Sequence, residues 1–233
     1  MEPKVALLLI ATGEVYRYYI NQMVGSARAY LSFADVILWS DQESSLVTRA
    51  FLKKGLGFPY ETLYRFHTFL GQQELLRTYS HVFYVDVDAA FVSRVEPWEI
   101  ISDGITATLH PGFVGGPGTP ETNPNSTAYC AHPRAYFAGG FIGGNTVAFL
   151  KMSTELAHCI DIDSFAGIRA VHNDESHLNR YLYDNPPAKI LTPAFCYPNK
   201  DHDQEYYRRG WRTQGVKDYV PKIELINKSA RRA

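Results

Sequence analysis

The sequence predicts an α/β fold with a largely parallel central sheet covered by helices, and three observations carry that expectation. Short apolar runs of strand length alternate with segments whose apolar residues recur at helical spacing. The first run, Lys4 to Thr12, is largely apolar and ends at Gly13, as suits a strand buried on both faces. The run His81 to Asp86 ends at the first of two aspartates, Asp86 and Asp88, and ligands of such sheets sit at the carboxyl ends of strands.

After the first strand, Tyr16, Ile20, Val24, Ala27 and Leu31 predict a helix from Glu14 to about Leu31. Ala34 to Asp41 reads as a second strand, and Glu61 to Tyr79 as a second helix. His81 to Asp86 and Gly104 to His110 read as further strands. Pro111 to Pro124 holds eight Gly or Pro in fourteen residues and reads as a surface loop. The Gly pairs in Tyr136 to Asn145 suggest close approach of backbone to another group. Thr146 to Asp163 and Asp174 to Asp184 read as helices, and Ala188 to Phe195 as a late strand. With no internal repeat or linker, one domain is expected. About residues 1–95 would make its first half, 96–198 its second half, and 199–233 a mobile basic tail.

The formal net charge of -1 gives no general attraction to nucleic acid or to an anionic membrane. Three widely separated cysteines, Cys130, Cys159 and Cys196, include no CxxC, so neither a disulfide framework nor a zinc knuckle is indicated. No apolar run reaches the ~18 residues needed to span a bilayer. No cleavable signal is read in the first residues, and a cytoplasmic location is expected.

Asp86 and Asp88 stand two apart in "FYVDVDAAF". On a strand both carboxylates would point the same way, about 6.6 Å apart along the chain. Two converging carboxylates repel unless a cation lies between them. Mg²⁺ or Mn²⁺ would suit, with phosphate oxygens and water completing the shell. A turn pair at a strand end is the alternative. Arg65, on the preceding helix, could pair with Asp86 or be a solvated helix arginine. His110 is placed at the rim of the site, where it could touch a ligand or serve a structural purpose. In "HNDESHLNRY", Asn173 or Asp174 could cap a helix, and Glu175 is a candidate catalytic carboxylate or a first-turn acid. His172 and His177 are five apart, which misses the spacing of a helical zinc pair. The tail from Lys217 carries five basic residues against two acidic ones, and could close over a diphosphate or simply aid solubility.

Taken in order and spacing, "YVDVDAAF", "TATLHPGF", "YFAGGFIGG", "HNDESHLNRYL" and "LTPAF" resemble the motifs of glycosyltransferase family 6, and "TLYRFHTFL" and "DNPPAKILTPAF" resemble its short bacterial members. The resemblance implies the GT-A nucleotide-diphospho-sugar transferase fold. It also implies transfer of galactose or N-acetylgalactosamine from UDP to a glycan 3-hydroxyl with retained anomeric configuration. It assigns Asp86 and Asp88 to Mn²⁺ on the UDP diphosphate, with Val87 between them, and Arg65 to bracing Asp86. Ile10, Thr12 and Val15 or Tyr16 match a uracil- and ribose-contacting segment. His110 matches an acceptor contact. Ala138, Gly139 and Gly140 match the triplet that selects the C2 substituent of the donor. Asp174 matches a donor-sugar ligand, and Glu175 the carboxylate beside the anomeric carbon. Lys222 and Lys228 match tail cations on the diphosphate.

Some bacterial relatives replace both aspartates, whereas this chain keeps them, so metal dependence is expected. His172 and Asn173 stand where the family usually reads Trp-His, which leaves the hexose open; small residues at 138–140 lean towards GalNAc over Gal, with Glc a third candidate. The expected partners are a UDP-sugar and an oligosaccharide acceptor. Two other classes compete. A haloacid-dehalogenase-type phosphatase also places DxD after a strand, but needs Thr or Val where Ala90 stands. The other is a non-catalytic sugar-binding module.

Overall fold

A computed structural model describes residues 3–199, 216 and 218–226. The expected tail cation Lys228 lies outside these residues, as do Lys217, Arg231 and Arg232. The chain begins with β1 (Val5–Ala11), whose seven residues are all buried. The expected first helix divides into α1 (Glu14–Arg17) and α2 (Ile20–Tyr30) around the buried Tyr19. β2 (Ala34–Ser40) follows, and then a short edge strand, β3 (Arg49–Leu52), which the sequence did not suggest. The expected helix over 61–79 is three short ones, α3 (Tyr60–Leu63), α4 (Arg65–Leu70) and α5 (Gln73–Leu76). They are broken at Tyr64, which leaves the helical region of backbone space (φ -99°, ψ 18°), and around Gly71–Gln72.

β4 (His81–Val85) and β5 (Ala89–Phe91) flank the aspartate pair, and α6 (Pro97–Ile100) and β6 (Ile105–Leu109) come next. The glycine-rich run is a strand, β7 (Phe137–Asn145). Asn145 caps α7 (Thr146–Phe165) by accepting the Val147 N–H at 3.0 Å. α8 (Asp174–Asp184) has the expected bounds. The late strand is short, β8 (Lys189–Leu191), because Pro193 opens a 3₁₀ turn. β9 (Tyr197–Pro198) and β10 (Ile223–Leu225) complete the described elements.

Seven strands form one sheet in the order β3-β2-β1-β4-β7-β6-β8. Only β7 is reversed: it runs antiparallel to β4 and β6, while the other neighbours pair in parallel. A second sheet has the order β5-β10-β9. Alternation along β1 feeds two cores. Ala6, Leu8 and Ile10 join Phe66, Phe69 and Phe149 on one face. Val5, Leu7 and Leu9 join Met23, Val24 and Phe83 on the other.

One irregularity matters for function. β6 and β7 are in register through Ala107 and Ile142, but the next pair is Thr108 with Ala138. Gly139, Gly140 and Phe141 therefore bulge out of the ladder with β6, beside the carboxyl end of β4.

Candidate active site

A cleft of about 690 Å³ opens at the carboxyl ends of β1, β2 and β4. That is the edge at which open α/β sheets place their ligands. Its walls come from six places in the sequence: the end of β1 with Tyr16, the residue after β2, the stretch 55–65, the turn 86–88, the β7 bulge, and 171–175.

Arg65 is the centre of charge. As the first residue of α4 it is 3% exposed, so it is not a solvated helix arginine. Its Nη1 donates to the Gly139 carbonyl at 3.0 Å and lies 3.8 Å from Asp86 Oδ1, while its Nη2 forms a close ion pair with Asp174. The guanidinium also stands 4.6 Å over the Tyr84 ring. Burial pulls the Arg65 guanidinium down, but Asp174, Tyr84 and Asp86 more than offset it, and it is held above its ordinary range. Asp174 is fully buried, and burial lifts its carboxyl to about 7 against the pull of Arg65. Its Oδ1 has no hydrogen-bond partner among the described residues.

The aspartate pair is not on a strand. β4 ends at Val85, and residues 86–88 form the turn into β5. The expected strand-like spacing of the carboxylates therefore does not apply: pairing with β7 stops after the Asp86 N–H donates to the Gly140 carbonyl at 2.9 Å. Asp86 remains half-buried and accepts the Tyr84 hydroxyl at 2.7 Å, whereas Asp88 is buried. Both line the cleft, with Val87 between them.

Glu175, in the first turn of α8, reaches back to the bulge, and its Oε2 accepts the Gly139 N–H at 2.8 Å. Burial raises its carboxyl above the ordinary range, and the Gly139 N–H draws it the other way. Asn173 precedes the helix with φ 52° and ψ -127°, the one non-glycine residue with positive φ among the described residues, and its side chain makes no capping bond. His172 lines the cleft and its Nε2 meets the Thr119 hydroxyl at 2.8 Å.

A family model, Glycosyltransferase family 6, matches residues 66–218, more than half of the chain and the part that holds Asp86, Asp88, Gly139, Asp174 and Glu175.

The chain belongs to glycosyltransferase family 6. A histo-blood group ABO system transferase 1 of Rattus norvegicus is 38% identical over 120 residues, covering 49% of this chain and 34% of the rat protein. A globoside alpha-1,3-N-acetylgalactosaminyltransferase 1 of Canis lupus familiaris is 31% identical over 135 residues, covering 55% of this chain and 38% of the dog protein. The O-antigen biosynthesis glycosyltransferase WbnI of Escherichia coli is 28% identical over 148 residues, covering 61% and 63%. The chain thus spans about a third of the length of the first mammalian relatives and 63% of the bacterial one. A mostly parallel sheet flanked by helices, with its cleft at the strand ends, is the GT-A arrangement the family implies. No helix among the described residues is long and apolar enough to cross a membrane.

For this family 6 chain the cleft gathers Ile10, Thr12, Tyr16, Arg65, Asp86, Val87, Asp88, Gly139, Gly140, His172, Asn173, Asp174 and Glu175. Four expected contacts stand elsewhere. Val15 is 46% exposed and off the cleft wall, because α1 turns Tyr16 inward instead. Ala138 is buried in β7, away from the wall. His110 is buried against Phe113 and Tyr136, where its Nδ1 accepts the Gly112 N–H at 3.1 Å. Burial, helped by His172, takes the His110 imidazole down to about 3, so it is neutral at ordinary pH. Lys222 points its ammonium at the Arg94 carbonyl (2.6 Å) and at Glu99 (2.9 Å), off the cleft wall.

The argument for GalNAc from small residues also changes. A Cβ at Gly139 would stand 2.6 Å from Arg65 Nη2, and one at Gly140 would stand 3.1 Å from Asp86 Oδ2. The space the glycines leave is taken by the protein's own charged groups, so geometry does not rank GalNAc above Gal.

Sequence reasoning missed Asp41, Glu61, Gly55, Gly57 and Phe58, all on the cleft wall. Glu61 Oε2 accepts both the Thr12 hydroxyl and the Leu56 N–H at 2.8 Å, and its Oε1 pairs closely with Lys53. One carboxylate thereby straps the loop before α3 to the end of β1. Asp41 Oδ2 accepts the Gly13 N–H at 3.0 Å and the Arg17 guanidinium at 3.2 Å, which fixes the turn after β1. The signal was an acid directly after a buried strand, as in Asp86.

Proposed function

We propose that this chain is a metal-dependent, retaining hexosyltransferase. Its donor is a UDP-sugar carrying GalNAc or Gal, with Glc a third candidate, and its acceptor is a glycan hydroxyl that is linked α-1,3. The observation that carries this reading is the convergence of Arg65, Asp86, Asp174 and Glu175 on the β7 bulge within one cleft. The printed names of the relatives, ABO transferases and an alpha-1,3-N-acetylgalactosaminyltransferase among them, support the class of reaction.

The residues present fit a divalent ion shared with substrate. Asp86 and Asp88 offer hard carboxylate oxygens on the cleft wall. Among the described residues no group of three or more His, Cys, Asp or Glu makes a self-contained metal site. An ion held by two carboxylates would therefore complete its shell with diphosphate oxygens and water, which is how Mg²⁺ and Mn²⁺ are bound beside nucleotides. When bound, such an ion neutralises charge on the departing diphosphate.

The chain's own groups supply the rest. Arg65 holds Asp86 and Asp174 in place and adds fixed positive charge beneath the diphosphate. Asp174 Oδ1, without a partner, receives a hydroxyl of the donor sugar. Glu175, pinned by Gly139, faces the anomeric carbon and stabilises the positive charge that grows there as the bond to UDP breaks. Ile10, Thr12 and Tyr16 receive the nucleoside. His172 and Asn173 line the sugar end, where the hexose is chosen.

Hydrolysis of UDP-GalNAc, UDP-Gal and UDP-Glc, each with Mn²⁺ and with EDTA, tests the reading. Turnover of at least one of them that stops in chelator is the expected result. Full turnover in EDTA would remove the metal, and a preference for a non-uridine donor would remove the donor class.

A further inference from the structure

The loop 111–130 meets the turn before α8 through the Thr119 hydroxyl and through one buried acid, Glu121, which is 6% exposed. The two carboxylate oxygens of Glu121 have separate tasks. Oε1 accepts the Asn123 N–H at 2.7 Å within the loop, and Oε2 accepts the Val171 N–H at 2.6 Å across the gap to the segment before α8. Its backbone is fixed as well: it bridges to Tyr129, and its carbonyl accepts the Cys130 N–H at 3.0 Å.

The backbone just past Val171 is strained. The Asn173 N–H donates to Ala170, and the Glu175 N–H donates to His172, so two tight turns overlap at Asn173. Asn173 itself has φ 52° and ψ -127°, a region that side chains other than glycine's rarely enter. Such a conformation persists only where the surroundings hold it. The side chains bonded to the residues just before Asn173 are Glu121 on Val171, Thr119 on His172, and the Ser176 hydroxyl accepting the His172 N–H at 3.0 Å, while Arg65 holds Asp174 on the other side. On the side before Asn173 Glu121 is the charged one, and a carboxylate makes the strongest of these bonds.

We infer that Glu121 is a positioning residue for the transfer reaction: by holding the Val171 N–H it keeps the Asn173 turn in its strained form and so sets Glu175 against Gly139. This rests on the reading of Glu175 as the carboxylate at the anomeric carbon. Glutamine cannot replace the acid, because its single oxygen serves one N–H while its amide group faces the other.

The test uses the full chain with Mn²⁺ and whichever of UDP-GalNAc or UDP-Gal it hydrolyses. Four proteins are compared: wild type, Glu121→Gln, Asn173→Gly and the double variant. Glu121→Gln should lower kcat about 10-fold or more at nearly unchanged affinity for UDP, since small misplacements of a reacting group are costly. In the Asn173→Gly background, where positive φ carries no strain, the same change should cost under about 3-fold. Hydrogen exchange over residues 170–176 should quicken in the folded Glu121→Gln protein and not in regions distant from the turn. A purely structural role predicts a lower melting temperature with unchanged kcat per folded molecule, equal cost in both backgrounds and no local change in exchange; that pattern overturns the inference. Should Glu121→Gln not fold, Glu121→Asp keeps both oxygens on a stem one methylene shorter and carries the same comparison. Full activity of Glu175→Gln would instead overturn the reading of the site itself.

Discussion

Glu175 Oε2 accepts the Gly139 N–H at 2.8 Å, joining the first turn of α8 to the bulge of β7. On the other side of the same residue, the Gly139 carbonyl accepts Arg65 Nη1 at 3.0 Å. One peptide segment thus orients the candidate catalytic carboxylate and the arginine that braces Asp86. A side chain at 139 would put its Cβ 2.6 Å from Arg65 Nη2. Gly139→Ala is therefore expected to displace the guanidinium, to destabilise the fold by about 1–3 kcal/mol, and to cut donor hydrolysis at least tenfold. Thermal unfolding together with hydrolysis rates checks this. An active, equally stable alanine variant would mean that the bulge is not held by these contacts.

Glu175→Gln separates an enzyme from a sugar-binding module. The enzyme reading expects a loss of about 10² or more in kcat, with UDP-sugar affinity largely kept. It also expects an acid limb in the kcat profile above the ordinary Glu value of 4.5, because burial raises this carboxyl and the ionised form is the active one. The limb belongs to the interacting Asp174–Glu175 pair, not to either residue alone.

Much of this site was legible in the sequence, and the reasons differ by element. β1, β2, α7 and α8 announced themselves through continuous apolar runs or helical periodicity. Asp86 and Asp88 were visible as charges in an apolar run. β7 was hidden because its glycine pairs are untypical of strands, although all but its last residue are buried. β3 was hidden because three of its four residues are exposed, so no period marks it. Arg65 looked like a surface helix residue; only the break at Tyr64 turns it inward. Glu61 and Glu121 owe their roles to backbone N–H groups brought near by tertiary contacts, which no local pattern displays.

Glu61 gives a further prediction. It ties Thr12, Leu56 and Lys53 together at the end of the cleft proposed for the nucleoside, remote from Glu175 in sequence. Glu61→Ala should free the loop before α3, weaken UDP binding about tenfold, and leave kcat at saturating donor within about twofold. Calorimetric titration of UDP and the donor dependence of hydrolysis read the two effects separately. A fall in kcat with unchanged UDP affinity would contradict the assignment of this wall to the nucleoside.

Asp174 offers a test in which burial and ion pairing pull in opposite directions. Burial lifts its carboxyl from 3.8 to about 7 in the folded chain, although Arg65 is its partner. Between those values the native state binds more protons than the unfolded chain, so unfolding free energy must fall as pH rises. The stabilisation by the neutral form is complete below 3.8 and is lost as pH climbs through about 7. Asp174→Asn keeps the shape, removes the titration and should flatten this part of the profile. The wild type, measured against that variant by urea unfolding, should lose on the order of 2–4 kcal/mol between about pH 4 and 7.5. Taking the difference cancels groups that titrate equally in both proteins. The opposite slope, with the wild type gaining on the variant as pH rises, would place the folded carboxyl below 3.8. The Arg65 ion pair would then outweigh burial, and Asp174 would meet the donor sugar as a carboxylate throughout the working range.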